Sequence, residues 1–191
     1  RSLGIDEAIV VGYSMGGSIA QHVWRRHRSF TSGLVLAATA AEYAETERER
    51  RRLQILRAIG IASRIVPDAV RDRIADSVYL SKKRGEWQPW AVREVEDHDW
   101  ATIAQAGGDL GNFRAREWLH EIDVPTSVIV TTQDTIVPVH RQRVLAKGIR
   151  NAEVHELAGD HDACFAQADE FAPILVGSLL RIAQQTTRVS R

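Results

Sequence analysis

Cysteine is nearly absent from this chain of 191 residues, Cys164 being alone. That excludes an internal disulfide framework and fits a reducing compartment, so a cytoplasmic location is expected. No apolar run approaches the ~20 residues that a membrane-spanning helix needs, so no membrane span is expected. Neither sign of charge is in excess, since 25 Lys and Arg balance 25 Asp and Glu. No global field therefore favours nucleic acid or an anionic surface, and the small basic cluster Lys82-Lys83-Arg84 reads as a solvated loop. An initiating methionine is missing too. The chain opens Arg1-Ser2-Leu3-Gly4, without a signal peptide, and reads as if it starts in the middle of a fold.

What is present is organised around Ala8 to Gln21, A-I-V-V-G-Y-S-M-G-G-S-I-A-Q. Ala8-Ile9-Val10-Val11 is short, apolar and rich in β-branched residues, as a strand buried on both faces should be. Gly12-Tyr13-Ser14-Met15-Gly16 follows in the form G-x-S-x-G, with a third glycine at Gly17. From Gly16 onward Ile19, Ala20, Val23 and Trp24 recur at helical spacing. A serine in such a strand-to-helix turn must adopt a strained backbone, and small residues on either side let the neighbouring backbone pass. The turn raises Oγ above the sheet and aims a helix N-terminus at the same place. It thus supplies a nucleophile and, from Met15, a backbone N–H for a developing oxyanion. The plain alternative is a glycine-rich turn whose serine only caps a helix.

The rest of the chain alternates strand and helix at both ends. The first helix is expected from Met15 to about Arg28, with His22 and His27 on its solvent side. Gly33 to Ala38 is a second buried strand, which makes a right-handed parallel βαβ unit. From Glu42 to about Trp118 no β pattern appears. Leu53, Leu56, Ile59, Ile61 and Ile65 give one helical stripe, and Val70, Ile74 and Val78 a second. Glu86 to Ala106 is expected as a third helix, Gly107 to Gly111 as a flexible joint, and Phe113 to Glu121 as a short helix. Ser127 to Thr132 is a third buried strand, followed by a helix from about Val139 to Lys147. Ala152 to Leu157 alternates like an edge strand, with His155 on its wet face. A closing helix from Phe165 to Ala183, bent near Pro173, leaves a polar tail from Thr186.

Functional groups collect at the carboxyl ends of strands in parallel sheets. Three loops leaving such ends carry Ser14, Asp134 and His161, in that order. Serine is a poor nucleophile at neutral pH, so an imidazole must take its proton. A buried carboxylate must orient that imidazole and stabilise its cation. Asp134 competes with a simple turn-forming role and with Glu42 and Glu45 after the second strand. His161 competes with His155 and His140. Asp160 and Asp162 read as solvated loop carboxylates, and Cys164 as a small buried side chain.

Together, Gly12 to Gly17, Val124-Pro125-Thr126 through Asp134 to Pro138, and Gly159-Asp160-His161 resemble the α/β-hydrolase fold family. The resemblance implies an α/β fold, the C-terminal part of an α/β-hydrolase: a parallel sheet with flanking helices over 1–41 and 119–191, and an all-helical cap inserted at 42–118. It implies Ser14 as nucleophile, Asp134 as triad acid, His161 as general base and acid, and the Met15 N–H in the oxyanion hole. Tyr13, Trp90 and Trp100 are candidate walls of the substrate pocket. No metal or cofactor is expected. The expected activity is hydrolysis of a carboxylic ester or related small, largely apolar acyl substrate through an acyl-enzyme. Acyl transfer or another reaction on the same triad, and a non-catalytic remnant or binding module, are the alternatives. The family's sheet usually has more strands than are legible here, and its second oxyanion donor lies on a loop not found in this chain. Impaired activity and self-association through the open sheet edge at Ile9-Val10-Val11 are therefore also expected.

Overall fold

The computed structural model describes residues 4–67, 69–70, 73, 89–96 and 98–189. It divides into two compact units, Arg1–Glu42 with Arg114–Arg191, and Tyr43–Phe113. Among the described residues no helix is long and apolar enough to cross a membrane.

The first unit is built on four strands. β1 (Ala8–Tyr13) leads through Ser14 into α1 (Met15–Arg26), and β2 (Thr31–Ala37) follows. The chain returns at Arg114 and passes a single 3-10 turn at Leu119–Glu121 before β3 (Thr126–Thr131). Then come α5 (Val139–Gly148), β4 (Glu153–Leu157), a short α6 (Ala163–Ala166) and the long α7 (Ala168–Val189). The labels α2 to α4 belong to the other unit. The strands lie in the order β1-β2-β3-β4, all parallel.

Strands β2 and β3 are apolar on both faces because both faces are covered. Val35, Ala37, Ile129 and Leu157 pack with Phe171 and Ile182 of α7. Leu34, Leu36, Val128 and Val130 point the other way by alternation and are buried too. β1 is the open edge expected at Ile9-Val10-Val11, although its composition reads as buried on both faces. It pairs with β2 alone among the described residues, and its Val11 is 45% exposed. An apolar strand at an edge is half-covered, however buried its composition reads. His155 departs from the expectation: it faces α7, where Arg181 Nη2 lies 2.9 Å away, and Val154 and Glu156 take the exposed side.

The second unit is helical. α2 (Glu47–Ser63) starts in a capping box: Thr46 Oγ1 accepts the Glu49 N–H at 3.2 Å, and Glu49 reaches back to the Thr46 N–H at 3.1 Å. α3 (Pro89–Glu96) and α4 (Trp100–Asp109) replace the expected continuous helix from Glu86. Asp99 ends that continuity by capping α4, accepting the Ala101 N–H at 3.0 Å. The expected helix through Ile74 and Val78 and the basic loop at 81–85 lie outside the described residues.

Gly107 to Gly111 is not a joint. Gly107 and Gly108 lie in α4, and Leu110–Asn112 is a 3-10 turn. The glycines are there for contact: a Cβ on Gly108 would run into Arg57 and come 2.7 Å from the Leu53 carbonyl. Phe113 to Glu121 is not a helix either. Arg114 forms a bridge with Glu42, and Trp118 stacks on Trp24 of α1 with ring centroids 5.9 Å apart. The closing helix runs unbroken through Pro173 and on to Val189, so the expected polar tail is helical as far as that residue. Its break falls earlier, at Gln167.

Candidate active site

β1 hands its direction to α1 through one residue. Ser14 has φ 52° and ψ −121°, a conformation that a side chain with Cβ seldom adopts. Two hydrogen bonds hold it there. Its N–H donates to the Ala37 carbonyl at 2.9 Å, extending the β1–β2 ladder by one rung, and its carbonyl accepts the Gly17 N–H at 2.9 Å. Gly12 must lack a side chain because the backbone of Gly16 and Gly17 occupies the space where a Cβ would stand. Met15 is the first residue of α1, so its N–H has no partner inside the helix.

Ser14 Oγ lies 2.8 Å from His161 Nε2. His161 Nδ1 lies 2.9 Å from Asp134 Oδ2 and 3.1 Å from Oδ1. The imidazole is 18% exposed and the carboxylate wholly buried. Asp134 sits in a tight loop after β3. The Ile136 and Val137 N–H groups donate to its Oδ1 at 2.9 and 2.7 Å, and the Thr131 hydroxyl to its Oδ2 at 2.7 Å. Burial pushes this carboxyl up, but the hydrogen bonds from His161, Val137 and Thr131 outweigh it. The net result is a carboxyl held below its ordinary value and therefore ionised at neutral pH. An anion on Nδ1 leaves Nε2 as the acceptor facing the hydroxyl, so this arrangement can draw a proton from Ser14 and shelter the cation that forms.

The loop after β4 is tied on both sides. Asp160 is not the solvated carboxylate expected from sequence. Its Oδ1 accepts the Thr135 N–H and hydroxyl, each at 2.8 Å, and the His161 N–H at 2.7 Å. One oxygen thus joins the loop carrying the acid to the loop carrying the imidazole. From the other side the Tyr13 hydroxyl donates to the His161 carbonyl at 2.7 Å, and its ring packs edge-on against Phe171. Burial, aided by nearby Cys164, pushes the Tyr13 phenol up, so it stays a donor at any ordinary pH. Burial likewise pushes the Cys164 thiol up, which keeps it from acting as a thiolate.

The structure brings together Ser14, Asp134, His161, Met15 and Tyr13, with Tyr13 bracing the His161 loop. Trp90 and Trp100 belong to the helical unit. The competing candidates are elsewhere engaged. Glu42 pairs with Arg114 at 2.8 Å, Glu45 belongs to the helical unit, and His155 is within 3.3 Å of Glu153. His140 is exposed on α5. Among the described residues no group of His, Cys, Asp and Glu is placed to hold a metal ion.

Sequence reasoning missed Thr131, Gln142 and the role of Asp160. A signal existed for Gln142: Val139, Gln142, Leu145 and Ala146 fall on one face of α5, so the amide interrupts an apolar stripe.

A family model described as the alpha/beta hydrolase fold matches residues 1–168. A poly(3-hydroxyalkanoate) depolymerase of Ectopseudomonas oleovorans is 28% identical over 192 residues, covering 96% of this chain and 64% of its own length. The AB hydrolase superfamily protein YisY of Bacillus subtilis is 26% identical over 175 residues, covering 88% and 65% respectively. The chain thus spans just under two thirds of the length of both curated relatives. Among solved structures, the enol-lactonase of Burkholderia xenovorans LB400 superposes with a TM-score of 0.71 at 24% identity, covering 93% of this chain and 67% of that one. That last likeness is one of fold.

Proposed function

The chain belongs to the α/β-hydrolase fold family, and from that premise we propose that it is a serine hydrolase acting on a carboxylic ester. The observation that carries the reading is the unbroken line from Ser14 Oγ to His161 Nε2 at 2.8 Å and from His161 Nδ1 to Asp134 at 2.9 Å. Ser14 Oγ attacks the ester carbonyl as its proton passes to His161 Nε2. The tetrahedral oxyanion lies at the start of α1, where the Met15 N–H and the positive end of the helix stabilise it. His161 gives the proton to the departing alkoxide, leaving an acyl-enzyme on Ser14. Water then attacks that ester with His161 again as base, releasing the acid. Asp134 stays ionised throughout and stabilises the imidazolium at each step. Aliphatic esters of hydroxy acids are the substrate class suggested by the depolymerase relative.

The test is labelling by a fluorophosphonate probe together with hydrolysis of p-nitrophenyl butyrate. The protein should be labelled at Ser14, and Ser14→Ala should lose about 10⁶ in kcat. Hydrolysis unchanged in Ser14→Ala would end the reading. Product carrying an added alcohol in place of free acid would move it to acyl transfer.

A further inference from the structure

A fully buried amide touches the candidate acid. Gln142 is 0% exposed on the inner face of α5, where an apolar side chain would pack without the penalty of desolvating an amide. Its orientation is dictated by its partners. Oε1 accepts the Thr131 N–H at 3.0 Å, and Nε2 donates to Asp134 Oδ2 at 3.0 Å and to the Val137 carbonyl at 2.9 Å. Flipping the amide would set an oxygen against two acceptors and an NH2 against a donor. The Thr131 hydroxyl has one proton to give. Asp134 Oδ2, charged and 2.7 Å away, takes it in preference to Gln142 Oε1 at 3.3 Å.

These contacts do something that the loop backbone does not. The N–H groups of Ile136 and Val137 hold Oδ1 alone, and a carboxylate held at one oxygen can still pivot about that oxygen through a joint rotation of its two side-chain torsions. Two more donors on Oδ2 stop that rotation and present both oxygens to His161 Nδ1. We propose that Gln142 and Thr131 are positioning residues that lock the plane of the Asp134 carboxylate for its hydrogen bond with His161. The proposal rests on the triad reading above and concerns the chemical step, with substrate binding untouched.

A merely structural role must be separated from this one, because Gln142 also takes up the Thr131 N–H at the end of β3. Gln142→Glu makes the separation. One glutamate oxygen still accepts that N–H, and the other replaces Nε2 beside Oδ2. Two carboxyl groups so close share one proton, and Glu in its acid form still donates. As the pH rises that proton leaves, the donor becomes a second anion, and Asp134 is driven out of plane.

The experiment is a pH profile of kcat and KM with p-nitrophenyl butyrate for the protein and its Gln142→Glu, Thr131→Val and Thr131→Ser variants. Gln142→Glu should show an alkaline fall in kcat that the parent lacks. Thr131→Val should lose about 10- to 100-fold in kcat, the scale of a small misplacement of a catalytic group, with KM unchanged. Thr131→Ser, which keeps the hydroxyl, should restore the parent rate. Parent kcat and pH profile in both Gln142→Glu and Thr131→Val, or a change confined to KM, would overturn the proposal. Should Gln142→Glu fail to fold, the Val and Ser pair decides alone. Full activity in Ser14→Ala sinks the triad reading and this proposal together, whereas an inactive Ser14→Ala beside unaltered Gln142 and Thr131 variants sinks only this one.

Discussion

The two compact units are held together by opposite means. In the sheet unit large side chains fill the space, and Trp24, Leu34, Leu36, Ile129 and Leu145 are completely buried. In the helical unit α2 has one buried residue, Gly60, and meets α4 where side chains are absent or short: Gly60 over Ala101 and Ala104, Gly108 over Arg57. Ile55 and Ile59 point outward, at 59% and 58% exposure. Packing by volume tolerates exchange among side chains of similar size. Packing by close approach tolerates almost nothing at the glycine and nearly anything on the outer face. The polar network around Asp134 lies in the unit of the first kind, where a rigid frame can fix an angle as well as a distance.

The largest effect that would test the contrast is Trp24→Ala. Removing a fully buried indole, stacked on Trp118, should cost about 3–5 kcal/mol in urea unfolding. A loss under about 1 kcal/mol would mean that this unit does not depend on volume. Next is Gly108→Ala. It adds only a methyl group and raises helix propensity, yet should destabilise the helical unit by about 1–3 kcal/mol through overpacking. Hydrogen exchange along α2 and α4 should speed up accordingly, and unchanged protection there would break the comparison. Smaller again, Thr46→Ala removes the capping box of α2 and should cost about 1 kcal/mol, read by the same exchange experiment at Glu47 to Arg50.

The last effect is complete at neutral pH and disappears in acid. The Asp134 carboxyl is held below its ordinary value in the folded state. Its contribution to stability is therefore complete above the unfolded value of about 3.9 and is lost as the pH falls through the folded one. The stability difference between the protein and Asp134→Asn should shrink as the pH falls below about 4. A difference that persists in acid would mean that the carboxylate is not stabilised by its donors.

Much of the sheet unit could be read from sequence because its signals are local. β2 and β3 are continuous apolar runs, and the strand, tight turn and helix around Ser14 are contiguous. Ser14, Asp134 and His161 could be placed at strand ends because each follows a segment whose residues read as a strand. The contacts of Gln142 and Asp160 could not. The apolar stripe of α5 can show that the amide faces inward, but only the seating of α5 beside β3 supplies its partners. Asp160 earns its partners from Thr135, 25 residues away along the chain. Composition also misled at Val11, whose burial depends on neighbours and not on its own character. At Gly107 to Gly111 a run of glycines reads as flexibility, although here it marks where another helix passes.

Ser14 occupies a backbone conformation that glycine would adopt without strain and that costs a residue with a Cβ about 1–3 kcal/mol. Selection for stability alone would thus favour glycine at this position. A descendant of this chain with no use for the hydroxyl would become more stable by that one exchange, with its sheet and helices unaltered. Serine here is therefore held against a gradient, and the sign of that gradient could be measured on Ser14→Gly without knowing any substrate.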